Sequence, residues 1–359
     1  MDPRGRTTSV SPAATRSDIS AIAYGFMAAK ALFAALEIGV FTVLADGPLA
    51  PVDLADRTGL AARRLRILLH ALAGLGLLVR DGERFGNAPA ADRYLVRGRA
   101  EDFGDYFRLQ LGRQIYPALL HLDAGIAGTG RAFDTMNALL SAPDDARTFT
   151  SAQHVGSLAA ARVLADRVVP DRVPTGSPGT GAIRLLDVGG GSGVFSIALC
   201  RRFPALRATV LDFPSVVEVA RAYRNEAAVK DRIELLAGDA VSTPWPAGQH
   251  VVLMSYLLSA LGDGEPDSEI EAVLAKAHEC LEPGGLLVVH DFMLDDAGPG
   301  PAAAALWFLQ YLAYQPDATS FSAAELSGRL CRAGFDPQPG TALIPGVTTV
   351  IPARKQVDR

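Results

Sequence analysis

Apolar positions along this chain follow two different periods, and the point where they change divides it. From residue 17 to 44 apolar side chains recur every three or four places, at Ile22, Phe26, Ala29, Phe33, Leu36 and Val40, the spacing of an amphipathic helix. Residues 48–60 predict a short helix closed by a glycine turn, and 61–74 a second helix. Residues 77–85 then form two short runs about Asp81-Gly82, a pair that favours a tight hairpin turn. Helix, turn, helix and hairpin in that order outline a winged helix. Helical spacing returns over 103–169, with Tyr106, Phe107, Leu111, Tyr116 and Leu120 on one stripe and a last helix at 148–169.

The second regime begins after a stretch rich in proline, glycine and serine at 170–181, which no regular element survives. Short continuous apolar runs at 183–188, 207–211, 232–236, 250–255 and 285–290 then alternate with helical patterns. That alternation predicts a mostly parallel sheet with crossover helices. Helices over 267–281 and 303–314, and an antiparallel pair within 341–352, complete it. The expected fold class is therefore α/β, a Rossmann-like domain preceded by a mainly helical winged-helix domain. Its parts are a disordered tail (1–17), a winged-helix domain (18–102), connecting helices (103–169), a linker (170–182) and the sheet domain (183–359).

The first sheet strand supplies the candidate chemistry. It runs through Asp187-Val188 into Gly189-Gly-Gly-Ser-Gly193 and out into a helical pattern. A strand, a tight turn and a helix start bring backbone N–H groups and a helix dipole to one point, where a negatively charged group binds. A dinucleotide fingerprint would need its third glycine where Val194 stands, so a nicotinamide cofactor is disfavoured. The next strand ends in Asp212 and the third in Gly238-Asp239. An acid at each strand end suits ribose hydroxyls and an amino-bearing base.

Composition narrows the partners. A formal net charge of −5 argues against nucleic-acid binding through phosphate neutralisation, and the cluster Arg57, Arg63, Arg64 and Arg66 reads as a solvated face. Hydrophobic residues at 49% and charged ones at 20% are those of an ordinary globular protein. Cys200, Cys280 and Cys331 have no metal spacing, so no metal is expected and all three read as buried thiols. With no secretory h-region and no apolar run of membrane-spanning length, the expected location is cytoplasmic, away from membranes.

The glycine motif, Asp212 and Gly238-Asp239 together resemble the S-adenosylmethionine site of class I methyltransferases. Behind a winged-helix dimerisation domain, they are similar to the small-molecule O-methyltransferases of plants and actinobacteria, over residues 20–352. The resemblance implies a homodimer with S-adenosyl-L-methionine as cofactor. It places Asp187, Gly189 and Gly191 at the cofactor, Gly189 beside its methionine part, and Asp212 on the ribose. Phe213 would lie on the adenine face, Asp239 would bind the exocyclic amine beside Ala240, and Ser255 occupies a position where many relatives carry lysine. A small aromatic substrate would meet Trp307, Tyr311, Gln315 and His154. The family's catalytic histidine is replaced by Ser259, and its two flanking glutamates by His290 and Ser320. Two roles fit His290, a base or donor that orients the acceptor, or a histidine bonded within the protein; Ser259 is the other catalytic candidate. O-methylation is the expected reaction. C- or N-methylation, a non-methylating relative and a winged-helix ligand-responsive regulator are the alternatives.

Overall fold

The structure is a computed structural model that describes residues 12–132, 136–169, 181–264, 268–298, 300–315 and 317–357. Residues 1–11 of the expected disordered tail (1–17) and most of the linker, 170–180, lie outside the described residues; the last two positions of that tail, Arg16 and Ser17, are instead helical. The chain divides into two compact units, the smaller spanning Ser11–Pro117. The division after Pro117 differs from the boundary expected at 102, because the first connecting helix belongs to the smaller unit.

In the smaller unit, helix α1 (Arg16–Ile38) begins at a capping box, in which Thr15 and Asp18 each satisfy the other's backbone N–H. It ends at Gly39, whose φ of 82° is a left-handed conformation that side chains with a Cβ rarely adopt. The helix expected to run to residue 44 therefore breaks there. α2 (Pro51–Thr58), α3 (Ala62–Gly74) and the hairpin of β1 (Leu78–Asp81) and β2 (Arg84–Asn87) follow in the expected order. Leu36, Val40, Phe41, Leu54, Leu69, Leu72 and Phe85 form their shared core.

Two apolar stripes read from helical spacing are not uniformly buried. Ile22 and Phe26 of the α1 stripe are 76% and 58% exposed, and Ile19, Tyr24 and Met27 are exposed beside them. This helix is also long and apolar enough, by composition alone, to cross a membrane, contrary to the expectation that no such run exists. Over Tyr106–Ile115 the backbone is π-helical, whose wider turn rotates the buried face from Leu111 to Leu109 and Gln110; Leu120 of the same stripe is exposed.

The larger unit is built on one sheet. Its strands are β3 (Ile183–Val188), β4 (Leu206–Asp212), β5 (Ile233–Ala237), β6 (Gln249–Ser255), β7 (Leu281–Phe292), β8 (Phe335–Pro337), β9 (Thr341–Ile344) and β10 (Thr348–Lys355). Their order is β5-β4-β3-β6-β7-β10-β8, with β9 on β10. The first five are parallel, and β10 runs antiparallel to β7. The chain steps outward from β3 to β4 and β5, then returns to the other side of β3 as β6. That reversal is a topological switch point, and open parallel sheets bind ligands at the carboxyl ends of the strands there.

Helices cover both faces. α4 (Pro143–Val163) and α5 (Val194–Arg202) pack on one, with α6 (Pro214–Glu226) beside them. α7 (Glu269–Cys280), α8 (Ala302–Tyr311) and α9 (Ala323–Arg332) cover the other. Strand side chains alternate between these faces. Leu185, Val288 and Val350 point to the first core; Leu186, Leu287 and Val289 point to the second. Each such side chain contributes roughly 1.5–3 kcal/mol when fully buried. Cys200 and Cys280 are buried as expected, whereas Cys331 is exposed, because it lies on the outer side of α9.

Candidate cofactor and acceptor site

The turn after β3 is shaped by steric exclusion. Gly189, Gly191 and Gly193 have φ of 65°, 56° and 75°. A Cβ on Gly190 would come within 2.8 Å of both Asp187 Cγ and Val210 Cγ1, closer than packed carbons allow. The chain thus folds tightly over Asp187, which is fully buried. Ser196 Oγ donates to Asp187 Oδ2 at 2.7 Å, and Oδ1 has no hydrogen-bond partner among the described residues. Burial raises this carboxyl to about 6. An orphaned buried oxygen under a glycine turn marks where a donor belongs.

Asp212 closes the same turn. Its Oδ2 accepts Gly191 N–H at 2.8 Å and its Oδ1 accepts Phe213 N–H at 2.8 Å. Each carboxylate oxygen carries two lone pairs, so half of this acceptor capacity is left for hydroxyl donors. Desolvation lifts its pKa to about 6 against the pull of those two N–H groups. Phe213 is half-buried beside it. Asp239 Oδ1 accepts the N–H groups of Val241 and Ser242. Lys276, absent from the expected set, braces this loop by donating to the carbonyls of Ala240, Val241 and Thr243. Its position mid-helix on α7 gave no signal in the sequence. Asp187, the glycine turn, Asp212 and Asp239 therefore stand together along the carboxyl edge of β3, β4 and β5. Their donors and acceptors fit a nucleoside whose ribose and base carry hydrogen to donate.

The other half of the edge differs from expectation. His290 is fully buried, with Nδ1 2.8 Å from Ser255 Oγ and Nε2 2.9 Å from Thr348 Oγ1. Both ring nitrogens are engaged, so neither is left for an acceptor, and a role as base is corrected to a role within the protein. Desolvation pushes its pKa down to about 3. The histidine packs against Phe195 and Tyr256, on the face covered by α5. Its carbonyl accepts Tyr256 N–H at 2.8 Å, where Tyr256 holds a φ of 56°, an unfavourable conformation that surrounding structure must impose. Ser255 is spent on His290.

Its neighbour Asp291 points to the opposite face, as strand alternation requires, and that is the face holding the acceptor candidates. Fully buried, Asp291 accepts Ser259 N–H at 3.0 Å and Phe292 N–H at 2.8 Å. Burial raises its carboxyl to about 6. Ser259 Oγ lies 3.4 Å from Tyr311 Oη, which accepts Trp307 Nε1–H at 3.2 Å. Trp307 stacks on Phe292 with centroids 4.6 Å apart. Gln315 follows just after α8, its backbone N–H on the Tyr311 carbonyl. Ser259, Tyr311 and Trp307 are thus brought together, with Asp291 as the member the sequence reading missed. A buried carboxylate ending an apolar strand was its signal.

His154 stands apart from this group. Its Nδ1 is 2.8 Å from Ser192 Oγ in the glycine turn, and its ring stacks on Tyr223 at 4.0 Å. It borders α5 and α6 instead of α8, so the expected contact with the acceptor is corrected. The exposed Ser320 lies outside the group as well.

Known proteins share this organisation. The O-methyltransferase domain family matches residues 168–336, and the O-methyltransferase dimerisation domain family matches residues 20–97. The chain is 31% identical to the 3-hydroxy-5-methyl-1-naphthoate 3-O-methyltransferase of Streptomyces sahachiroi, over 81% of each chain. It is 30% identical to the N,N-dimethyltransferase OxyT of Streptomyces rimosus, over 92% of this chain and 93% of that one. The crystal structure of human N-acetylserotonin methyltransferase in complex with SAM has the same fold. It superposes with a TM-score of 0.79 at 22% identity, covering 97% of this chain and all of that one.

Proposed function

We infer the activity from one premise: the chain belongs to the O-methyltransferase family, as a cofactor domain preceded by that family's dimerisation domain. It is a methyltransferase that uses S-adenosylmethionine and acts on a small molecule. The cofactor supplies a methyl group already activated on a sulfonium sulfur. The glycine turn and Asp187 would hold its methionine part, Asp212 its ribose and Asp239 its amino group, with Phe213 against the base. The unpartnered Oδ1 of buried Asp187 supports that assignment.

The acceptor we propose is a fused-ring aromatic hydroxyl that is acidic on its own account. At the place of the family's base stands Ser259, whose hydroxyl cannot take a proton near neutral pH, and His290 is sealed from the acceptor face. Holding an ordinary phenol of pKa about 10 as phenolate at pH 7 costs about 4 kcal/mol. A hydroxyl conjugated with a ring carbonyl avoids most of that. Positioning then carries the reaction, and well-oriented reactants gain on the order of 7–11 kcal/mol. Tyr311 and Ser259 orient the acceptor oxygen, and the stacked Trp307–Phe292 pair flanks the ring. Asp291 holds the Ser259 segment in place.

The absent base also supports a second reading, N-methylation of an amine that is nucleophilic without losing a proton; OxyT, named as an N,N-dimethyltransferase, is similar over most of its length. The exposed apolar residues of α1 support a homodimer formed through the smaller unit, since such a patch is unfavourable in water until a second copy covers it. A cytoplasmic location accords with this reading.

Labelled S-adenosylmethionine incubated with paired acceptors tests the proposal. A hydroxynaphthoquinone should be methylated at neutral pH. With 1-naphthol the rate should rise about tenfold per pH unit up to the naphthol pKa. Equal, pH-independent rates on both would show that the protein supplies a base.

A further inference from the structure

Helices α4, α5 and α6 enclose a cleft of about 230 Å³ on the side of the sheet away from Ser259 and Tyr311. Its floor is apolar, made by Leu158, Val194, Ile197 and Ala198. One wall is the stacked pair His154 and Tyr223, ring planes 17° apart. Arg162 and Arg201 stand at the rim with Glu226. Neither guanidinium has an ion-pair or hydrogen-bond partner among the described residues. An apolar floor under two free guanidiniums matches a flat ring bearing one acidic group. Glu226 removes one positive charge from the rim and leaves it net cationic.

His154 adds a second observation. Nδ1 is engaged by Ser192 Oγ, while Nε2 has no partner among the described residues. Burial holds the ring neutral, with a pKa near 4. When Ser192 donates to Nδ1, the ring hydrogen sits on Nε2, a donor on the cleft wall. The same ring therefore touches the cleft and the turn that holds the cofactor.

We propose that this cleft is a second ligand site, for a small aromatic carboxylate, whose occupation is transmitted through His154 and Ser192 to the glycine turn. The transmission rests on reading that turn as the cofactor cradle; the binding of the carboxylate does not. Biosynthetic aromatic acids are of this class, and the effect would match cofactor affinity to their supply.

Calorimetric titration of the full chain with benzoate tests both parts. Benzoate should bind in the presence of saturating S-adenosylhomocysteine, which separates this site from the cofactor site, and the arginine variant separates it from the acceptor site. The Arg162→Gln/Arg201→Gln variant should bind benzoate at least tenfold more weakly and keep its affinity for S-adenosylhomocysteine. Saturating benzoate should change the S-adenosylhomocysteine Kd at least threefold in the natural chain and leave it unchanged in His154→Phe. No benzoate binding up to about 10 mM, or equal binding by the double variant, would overturn the site. Binding without any change in cofactor affinity would overturn the transmission. If S-adenosylhomocysteine itself does not bind, the cofactor assignment fails, and the benzoate titration still decides the cleft.

Discussion

Along one sheet edge, the β3–β5 half and the β6–β7 half are built on different physical terms. The first is a backbone device: three glycines at positive φ, a fourth with no space for a Cβ, and acids that accept main-chain N–H groups. The second is a side-chain device, in which adjacent residues, His290 and Asp291, serve opposite faces of one strand. On the proposed reading the first half holds the cofactor and the second the acceptor, where Ser259, His290 and Ser320 stand at the positions of the family's base and its two flanking glutamates.

The largest effect should come from the first half. Asp212→Ala removes a carboxylate that braces the turn and would hold the ribose, so S-adenosylhomocysteine affinity should fall about 100-fold by calorimetry, given that hydrogen bonds to charged groups contribute about 1.5–3 kcal/mol each. A smaller loss than tenfold would break the contrast between the halves. In the second half, His290→Ala leaves a cavity and two unpaired hydroxyls, those of Ser255 and Thr348. Its unfolding free energy should drop by about 2–3 kcal/mol in urea titration, while cofactor affinity of the folded protein stays within about threefold. Intact stability with lost turnover would instead return His290 to the chemistry.

The glycine turn was legible in the sequence because its backbone conformations admit almost no other residue. The sheet was legible because its buried strands are short apolar runs. His290 and Asp291 were not, although alternation says that they part company. Which of the two faces receives the acceptor depends on where α8 packs, and nothing local encodes that. The α1 stripe misled for a related reason. Ile22 and Phe26 have helical spacing but are exposed among the described residues, because spacing gives the face of a helix and not what covers it; that face is the one proposed for the homodimer. The π-helical turn over Tyr106–Ile115 shifted a stripe that was counted on α-helical spacing.

Acid should separate the halves more gently. Asp212 has its pKa raised to about 6, so the carboxylate proposed to accept the ribose hydroxyls exists above that pH and is lost below it. Cofactor affinity should therefore weaken as pH falls through about 6, by up to about tenfold per unit; Asp212→Asn, weak throughout, should show a shallower slope, the remainder coming from Asp187, whose carboxyl is raised to about 6 as well. The smallest effect is expected at Ser259. Ser259→Ala should lower kcat about fivefold, near 1 kcal/mol, and leave the S-adenosylhomocysteine Kd unchanged. A loss of more than about a thousandfold would make Ser259 more than an orienting group.

Whether an adenosyl cofactor lies along the β3–β5 edge is decided by a crystal of the full chain grown with S-adenosylhomocysteine. In such a crystal the ribose hydroxyls should lie on Asp212, the adenine amino group on Asp239 and the amino-acid end over the glycine turn above Asp187. A ligand bound elsewhere on the chain, or an adenosine that leaves Asp212 and Asp239 untouched, would contradict that placement.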